Sequence, residues 1–183
     1  MSLLVGKKAP SFESIALRGG DATEFSPDNA FINLKNDDYI GKWVCLFFYP
    51  LDFTFVCPTE IEDFGKHYQE FANLNCEVIA ASTDSHFSHL AWRTSHPGLR
   101  KLPYPMLADF TGNVAKNFEI YKDETGYALR GLYLINPEGA IVYSVIHPEA
   151  VGRSCNEVLR VLNALQTGKL TPCNWEAGQD TIN

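Results

Sequence analysis

The sequence has few positive charges for its size, and this shortage limits what it can bind. Lysine and arginine together number 15, against 22 aspartates and glutamates, so the net charge is −7 at neutral pH. A surface that grips phosphate backbones needs the opposite balance of charge. We therefore expect no nucleic-acid partner.

Long apolar runs and sorting signals are missing as well. No stretch approaches the roughly 18 apolar residues of a membrane-spanning helix, and the N-terminus has no apolar core followed by a cleavage site. Internal repeats, low-complexity tracts and Pro/Gly/Ser-rich linkers are also absent. We expect a cytoplasmic protein that does not bind membranes.

Cysteine is scarce and odd in number, with five residues in the chain. An odd count in a reducing compartment argues against a framework of permanent disulfides. No two cysteines are spaced as Cys-x2-Cys, no His-Glu-x-x-His occurs, and the five histidines are scattered. We therefore predict no metal site, and at least one thiol needs another explanation.

Apolar residues, by contrast, are plentiful enough for a core. The 183 residues are 45% hydrophobic and 13% aromatic, which suffices for one domain without disulfide or metal support. We predict a domain over residues 1–168 and a C-terminal tail over residues 169–183. The tail is polar, and we expect it to be mobile or bound by a partner.

Strand and helix patterns alternate after residue 42. The run from Trp43 to Tyr49 is continuously apolar, which is typical of a central strand buried on both faces. Apolar side chains then recur at spacings of 3, 4 and 3, as on one face of a helix that Pro58 opens: Ile61, Phe64, Tyr68 and Phe71. Further strand and helix patterns alternate at 77–81, 87–91, 105–108 and 114–118. This order indicates β-α-β units.

The last third of the domain predicts a hairpin and a helix. Residues 131–135 and 140–146 are apolar segments joined by Asn136-Pro137-Glu138-Gly139, a sequence typical of a tight turn. They are expected to pair as antiparallel strands. Ser154 is the predicted N-cap of a final helix that Gly168 ends, with an apolar face of Val158, Leu159, Val161, Leu162 and Leu165.

Cys57 falls between the buried strand and the first turn of the helix that Pro58 opens. The amides and dipole at a helix N-terminus stabilise an anion by about 0.3–1 kcal/mol, and a nearby arginine would add to this, favouring a reactive thiolate. Thr54 can aim its hydroxyl at the sulfur or at an oxygen bound to it. From location alone, Cys57 could equally be an ordinary core residue.

The spacing around Cys57 resembles a known signature. Pro50, Thr54 and Cys57 in the pattern Pro-x3-Thr-x2-Cys, followed by Pro58-Thr59-Glu60, are similar to the active-site motif of the typical 2-Cys peroxiredoxins. Other segments similar to that family span the whole chain, namely residues 5–12, 82–85, 91–92, 130–135 and 151–154 and the closing Cys173. The chain resembles in particular the alkyl hydroperoxide reductase C subunit and the thioredoxin-dependent peroxidases. The resemblance implies an α/β, thioredoxin-like fold with a central mixed β-sheet flanked by helices.

The same resemblance implies a role for each matching residue. Cys57 corresponds to the peroxidatic cysteine, and Pro50, Thr54 and Arg130 correspond to residues that surround its thiolate. Donors there would stabilise the charge that spreads over both oxygens as the O–O bond breaks. Pro50 would shield the sulfenic acid product from water and from further peroxide.

Three further residues match supporting and resolving positions. Glu60 and Arg153 resemble a pair that orients Arg130, and Cys173 resembles the resolving cysteine that condenses with the Cys57 sulfenic acid. In typical members the resolving cysteine comes from the other subunit, which implies a homodimer, and relatives assemble as decamers, rings of five dimers. Thioredoxin or a dedicated flavoprotein reductase would reduce the disulfide. No metal, haem or flavin cofactor is implied.

The chain also departs from the family pattern. Only Asn174 separates Cys173 from Trp175, whereas the usual tail reads Cys-Pro-Ala-x-Trp, and this leaves the docking of Cys173 open. Residues 97–100 read Pro-Gly-Leu-Arg where easily over-oxidised relatives have Gly-Gly-Leu-Gly, and the sequence ends at Asn183 without their C-terminal helix. We expect resolution to outrun over-oxidation. The other cysteines, Cys45, Cys76 and Cys155, are interpreted as structural.

The predicted function is the reduction of hydrogen peroxide and organic hydroperoxides, as part of antioxidant defence and redox homeostasis. Two alternatives stay open at this point. One is a cysteine hydrolase that uses Cys57 with a histidine such as His147 as base. The other is a non-enzymatic holdase or peroxide sensor. His86 and His89 are interpreted as solvated positions on one helix face.

Overall fold

The computed structural model describes residues 3–182. The chain forms two compact units, Met1–Arg153 and Ser154–Asn183, of which residues 1, 2 and 183 lie outside the described part. The boundary between the units precedes the last helix, whereas the expected tail begins after that helix. The division at residue 168 stays a prediction.

A seven-stranded mixed sheet is the centre of the first unit. Its strands are β1 (Glu13–Leu17), β2 (Phe31–Lys35), β3 (Trp43–Phe48), β4 (Cys76–Ser82), β5 (Met106–Ala108), β8 (Arg130–Ile135) and β9 (Ile141–His147). A separate two-stranded ribbon consists of β6 (Tyr121–Lys122) and β7 (Tyr127–Ala128). The order across the large sheet is β2-β1-β5-β4-β3-β8-β9.

Strand β3 lies in the interior of this sheet, as its apolar run predicts. Every residue of β3 after Trp43 is buried. The strand pairs in parallel with β4 and antiparallel with β8. Because β4 and β5 are also parallel, the β-α-β expectation is confirmed, and the antiparallel β8 and β9 make the sheet mixed.

Among the described residues of the first unit, four α-helices lie between strands: α1 (Cys57–Lys66), α2 (Tyr68–Asn73), α3 (His86–Ser95) and α4 (Asn113–Asn117). The apolar spacing predicts one helix through Phe71, but the structure has two, because His67 at φ −93° and ψ 4° leaves the helical conformation. The His67 ring donates from Nδ1 to the Asp63 carbonyl oxygen at 2.9 Å. Ile61, Phe64 and Phe71 remain buried across the break, so the apolar face survives it.

The predicted hairpin is present as β8 and β9, which pair antiparallel. Its turn closes through a hydrogen bond from the Gly139 amide to the Asn136 carbonyl oxygen at 2.8 Å. Gly139 has φ +81°, a left-handed conformation that glycine adopts without strain. The hairpin of β1 and β2 has no counterpart among the sequence predictions.

The second unit consists of helix α5 (Cys155–Gln166) and the segment after it. Ser154 caps the helix as predicted, since its Oγ accepts from the Glu157 amide at 3.2 Å. In the following segment the Ile182 amide donates to the Leu170 carbonyl oxygen at 2.8 Å, and the Trp175 side chain is buried. The described part of the tail is therefore a closed loop with internal hydrogen bonds.

No helix among residues 3–182 is both long enough and apolar enough to cross a membrane.

Candidate active site

Cys57 is the first residue of α1 and follows the loop that leaves β3. Its side chain is 1% exposed. Pro58 occupies the opening turn, where the missing N–H of proline costs no helical hydrogen bond. The remaining amides of this turn make the site positive in potential. The fold thus places a buried thiol at the positive end of a helix.

Arg130 contacts Cys57 from the neighbouring strand. Leu132 of β8 lies opposite Phe47 of β3, and this register brings Arg130, two residues earlier, level with the end of β3. Arg130 Nη1 lies 3.4 Å from Cys57 Sγ and within hydrogen-bond distance of it. Arg130 is only 2% exposed. Water therefore screens the charge of its guanidinium only weakly.

Glu60 joins two arginines beneath the sulfur. Its Oε2 accepts from Arg130 Nη1 at 2.6 Å and from Arg153 Nη2 at 3.1 Å. Its Oε1 accepts from the Arg153 backbone amide and from Arg153 Nε, both at 2.7 Å. Burial alone would raise the pKa of Glu60, but hydrogen bonds from Arg153 and the charges of both arginines outweigh burial and lower it. Glu60 is therefore an anion that fixes both guanidinium groups.

Thr54 and Pro50 belong to the segment between β3 and α1 that leads to Cys57. Thr54 Oγ1 donates to the Leu51 carbonyl oxygen at 2.8 Å, so its proton points to the backbone rather than towards the sulfur. The lone pairs of Thr54 Oγ1 can still accept a hydrogen bond from a ligand. Pro50 is buried.

Cys173 lies in the second unit and is exposed. It lines a cavity between α5 and the tail loop, together with Arg160 and Leu165. None of the five cysteines, all of which lie in the described part of the chain, is in a disulfide. Cys45, Cys76 and Cys155 are buried, which agrees with their structural interpretation, and burial together with the charge of Glu77 raises the pKa of Cys76 well above that of an ordinary thiol.

The interpretation of His89 as a solvated residue is wrong. His89 is fully buried, and its Nδ1 lies 2.8 Å from Asp52 Oδ2. Ser88 Oγ donates to the same carboxylate at 2.7 Å, and so does Tyr49 Oη at 2.7 Å. Helical spacing could not separate this buried position from a solvated one, because β-strand and loop residues distant in sequence cover it.

These contacts anchor the active-site loop, a role that the sequence did not reveal. Asp52 belongs to the loop between Pro50 and Cys57, and its backbone amide donates to Asp84 Oδ2 at 2.9 Å. Burial and the charge of Asp52 raise the pKa of Asp84. The loop that carries Thr54 is therefore tied to the segment between β4 and α3 and to α3 itself.

The histidine of the hydrolase alternative, His147, makes no hydrogen bond to Cys57 within the described part of the chain. His147 Nδ1 lies 3.3 Å from the carbonyl oxygens of Val151 and Gly152. A carbonyl oxygen can only accept, so this nitrogen is held as a donor. Arg130, which is not a general base, is the side chain that approaches Cys57 Sγ within hydrogen-bond distance.

Comparisons with known proteins bear on the family and on the fold of the whole chain. The family model described as "AhpC/TSA family" matches residues 5–144. The chain is 46% identical to 2-Cys peroxiredoxin BAS1, chloroplastic, of Hordeum vulgare, over 98% of this chain and 85% of that protein. Among solved structures it is similar to the reduced Plasmodium vivax 2-Cys peroxiredoxin, with a TM-score of 0.90, 34% identity and coverage of 100% and 94%. It is also similar to Mycobacterium bovis AhpC, with a TM-score of 0.88, 38% identity and coverage of 96% and 100%.

Proposed function

Because the chain belongs to the AhpC/TSA family and is a peroxiredoxin, an oxidoreductase with peroxidase activity, we propose that Cys57 is the sulfur that peroxide oxidises. The observation that carries this proposal is the 3.4 Å contact between Arg130 Nη1 and Cys57 Sγ at the start of α1. A guanidinium and a helix N-terminus both favour the thiolate, which is the nucleophilic form of cysteine.

The first reaction is an in-line attack of the Cys57 thiolate on one peroxide oxygen. The S–O bond forms as the O–O bond breaks, and the other oxygen leaves as hydroxide or alkoxide and takes a proton. Cys57 becomes a sulfenic acid, and the peroxide is reduced to water or an alcohol. Arg130 and the Cys57 backbone N–H are suited to stabilise the charge that develops on the oxygens.

Thr54 acts on the bound peroxide, and Pro50 acts on the oxidised sulfur. The Thr54 hydroxyl donates its hydrogen bond to the Leu51 carbonyl oxygen. Its Oγ1 therefore acts as an acceptor towards the peroxide and receives a hydrogen bond from the peroxide O–H. Pro50 shields the sulfenic acid from water. Glu60 and Arg153 hold the guanidinium of Arg130 in place by the hydrogen bonds described above.

We further propose that Cys173 of the partner subunit resolves the sulfenic acid. Its thiol loses a proton and attacks the Cys57 sulfur; the S–S bond forms as the S–O bond breaks, and the sulfenic oxygen leaves as hydroxide, which takes up a proton to become water. The exposure of Cys173 supports this choice, because the three other cysteines are buried. Thioredoxin or a flavoprotein reductase then reduces the disulfide in the reducing cytoplasm. Because the two cysteines come from different subunits, the protein acts as a homodimer. The proposed assembly is a decamer of five dimers.

Stopped-flow reduction of hydrogen peroxide by the wild type, Cys57→Ser and Cys173→Ser tests these roles. Cys57→Ser is expected to lose all reaction. Cys173→Ser is expected to keep the first oxidation but to lose turnover with thioredoxin and its reductase. A Cys57→Ser variant that still consumes peroxide would contradict the assignment of Cys57. A Cys173→Ser variant with normal turnover would contradict that of Cys173.

A further inference from the structure

Arg130 has a second anchor on the side of its guanidinium away from Glu60. Arg130 Nε donates to the backbone carbonyl oxygen of Glu149 at 2.7 Å, whereas Nη1 donates to Glu60 Oε2 at 2.6 Å. A single hydrogen bond leaves a guanidinium free to rotate about it, but two bonds from different nitrogens fix its plane. The direction in which Nη1 faces Cys57 therefore depends on Glu149 as well as on Glu60.

The Glu149 side chain is in turn held by the β6–β7 ribbon. Lys122 Nζ donates to Glu149 Oε1 at 2.8 Å, and Tyr127 Oη donates to Oε2 at 3.1 Å. Lys122 and Tyr127 are directly paired across the two strands, so one cross-strand pair grips both oxygens of one carboxylate. Hydrogen bonds from Lys122 and Tyr127 lower the pKa of Glu149, and its carboxylate raises the pKa of Lys122.

The loop that follows β9 is thus fixed at two points to the same group of charges. Near its start, Glu149 bonds Arg130. At its end, the Arg153 amide and guanidinium bond Glu60. Glu149 itself lies in a turn over residues 148–151, which closes through a hydrogen bond from the Val151 amide to the Pro148 carbonyl oxygen at 3.2 Å. Because hydrogen bonds hold this loop at both ends, a displacement of Glu149 is expected to displace Arg130 as well.

We propose that Glu149 is a positioning residue for Arg130, and that Lys122 and Tyr127 of the β6–β7 ribbon hold Glu149 in the position that aims the guanidinium at Cys57. The inference rests on the proposed role of Cys57 and Arg130 in peroxide reduction. Glu149 touches neither the sulfur nor the peroxide. It acts through its backbone carbonyl, whose place is set by its side chain.

The test compares Glu149→Ala and Lys122→Met with Asp123→Asn, a matched control that removes an exposed charge from the turn that joins β6 and β7. Stopped-flow measurement gives the second-order rate constant for the first oxidation of Cys57. We expect Glu149→Ala and Lys122→Met to lower it by roughly three- to tenfold, because the carbonyl remains and the misplacement is smaller than the 1 Å that costs about 100-fold. The rate constant of Asp123→Asn is expected to stay within about 1.5-fold of the wild-type value. Asp123 is exposed and makes no hydrogen bond to Glu149, so its charge should not affect Arg130.

A double-mutant cycle with Arg130→Met separates positioning from general destabilisation. If Glu149 acts through Arg130, Glu149→Ala has no further effect in the Arg130→Met background. The pH midpoint for alkylation of Cys57 by iodoacetamide should also move upward in Glu149→Ala, because the guanidinium stabilises the thiolate less. Thermal unfolding of each variant verifies that it is folded.

Independent slowing by Glu149→Ala in the Arg130→Met background would overturn the inference, and so would a wild-type oxidation rate in Glu149→Ala. Failure of the proposed function looks different. In that case the wild type itself would react with peroxide no faster than free cysteine, or Cys57→Ser would react as the wild type does.

Discussion

Two arginines share one carboxylate beside Cys57, and the count of charges explains what this achieves. Glu60 bonds Arg130 and Arg153, so the three side chains together carry one net positive charge. That excess lies against Cys57, a residue that is 1% exposed. Positive charge in this place is suited to the negative charge that would move from the sulfur to the leaving oxygen in the proposed reaction.

The lowered pKa of Glu60 predicts a specific pH dependence of stability. A carboxylate whose pKa falls on folding stabilises the folded state above its ordinary value, near 4.5 here, and this stabilisation is lost as the pH falls through the folded value. Glu60→Gln, which mimics the protonated form in charge, should therefore reduce the free energy of unfolding by about 3 kcal/mol at pH 7. Its difference from the wild type should shrink as the pH falls below about 4.5.

Urea unfolding of both proteins between pH 3.5 and 7, monitored by circular dichroism, measures this difference. Exposed Glu138→Gln serves as the control, because it removes the same charge at a turn. A difference that grows as the pH falls would contradict a carboxylate whose pKa is lowered by its arginine partners.

At the scale of secondary-structure elements, the sequence predicts the strands and helices that depend on residues close together along the chain. The run Trp43–Phe48 and the start of α1 at Cys57 follow from an apolar stretch and a proline, and both are present. The β1–β2 hairpin was missed, because its strands leave most positions partly or fully exposed and lack the alternation that marks a strand. The break at His67 was missed because the apolar spacing continues across it.

The candidate site also contains residues that the local sequence indicates and residues that only folding brings together. Cys57 was a candidate from its location alone, since a thiol at a helix start is visible in the sequence. Arg130 and Arg153 were named only through resemblance to a family, because they are separated from Glu60 by 70 and 93 residues. Glu149 and the Asp52–His89 contact carry no local signal at all, because each depends on distances that packing sets.

The loop between β3 and α1 provides a prediction about an element. Replacing His89 by leucine removes the nitrogen that faces the buried Asp52 carboxylate at 2.8 Å. Removing one partner of a buried hydrogen bond to a carboxylate is expected to cost about 2 kcal/mol, and the loop carrying Thr54 should lose rigidity. Urea unfolding measures the loss of stability, and the first oxidation of Cys57 should slow.

His86→Leu is the matched control for this change, since His86 lies one helical turn earlier on α3 and is only half-buried. It should change the free energy of unfolding by about 0.5 kcal/mol or less. Equal losses in the two variants would mean that the Asp52 contact does not hold the loop.

At the scale of the whole molecule, the placement of the thiols constrains how a disulfide can form. Cys57 is 1% exposed, so no second sulfur can reach it while the first turn of α1 stays closed. Cys173 is exposed and belongs to a loop that its own hydrogen bonds close. The proposed disulfide between Cys57 and Cys173 would therefore require local opening of the α1 start, and local openings of this kind cost less than global unfolding.

Mixing two inactive variants tests whether the proposed disulfide crosses between subunits. Cys173→Ser can form the Cys57 sulfenic acid but lacks the resolving thiol, and Cys57→Ser has the opposite defect. After subunit exchange and exposure to peroxide, the mixture should give a disulfide-linked dimer on a non-reducing gel, whereas each variant alone should give monomers. The wild type should give dimers, and thioredoxin should return them to monomers. A wild type that forms its disulfide within a single chain, with no covalent dimer in the mixture, would contradict resolution by the partner subunit.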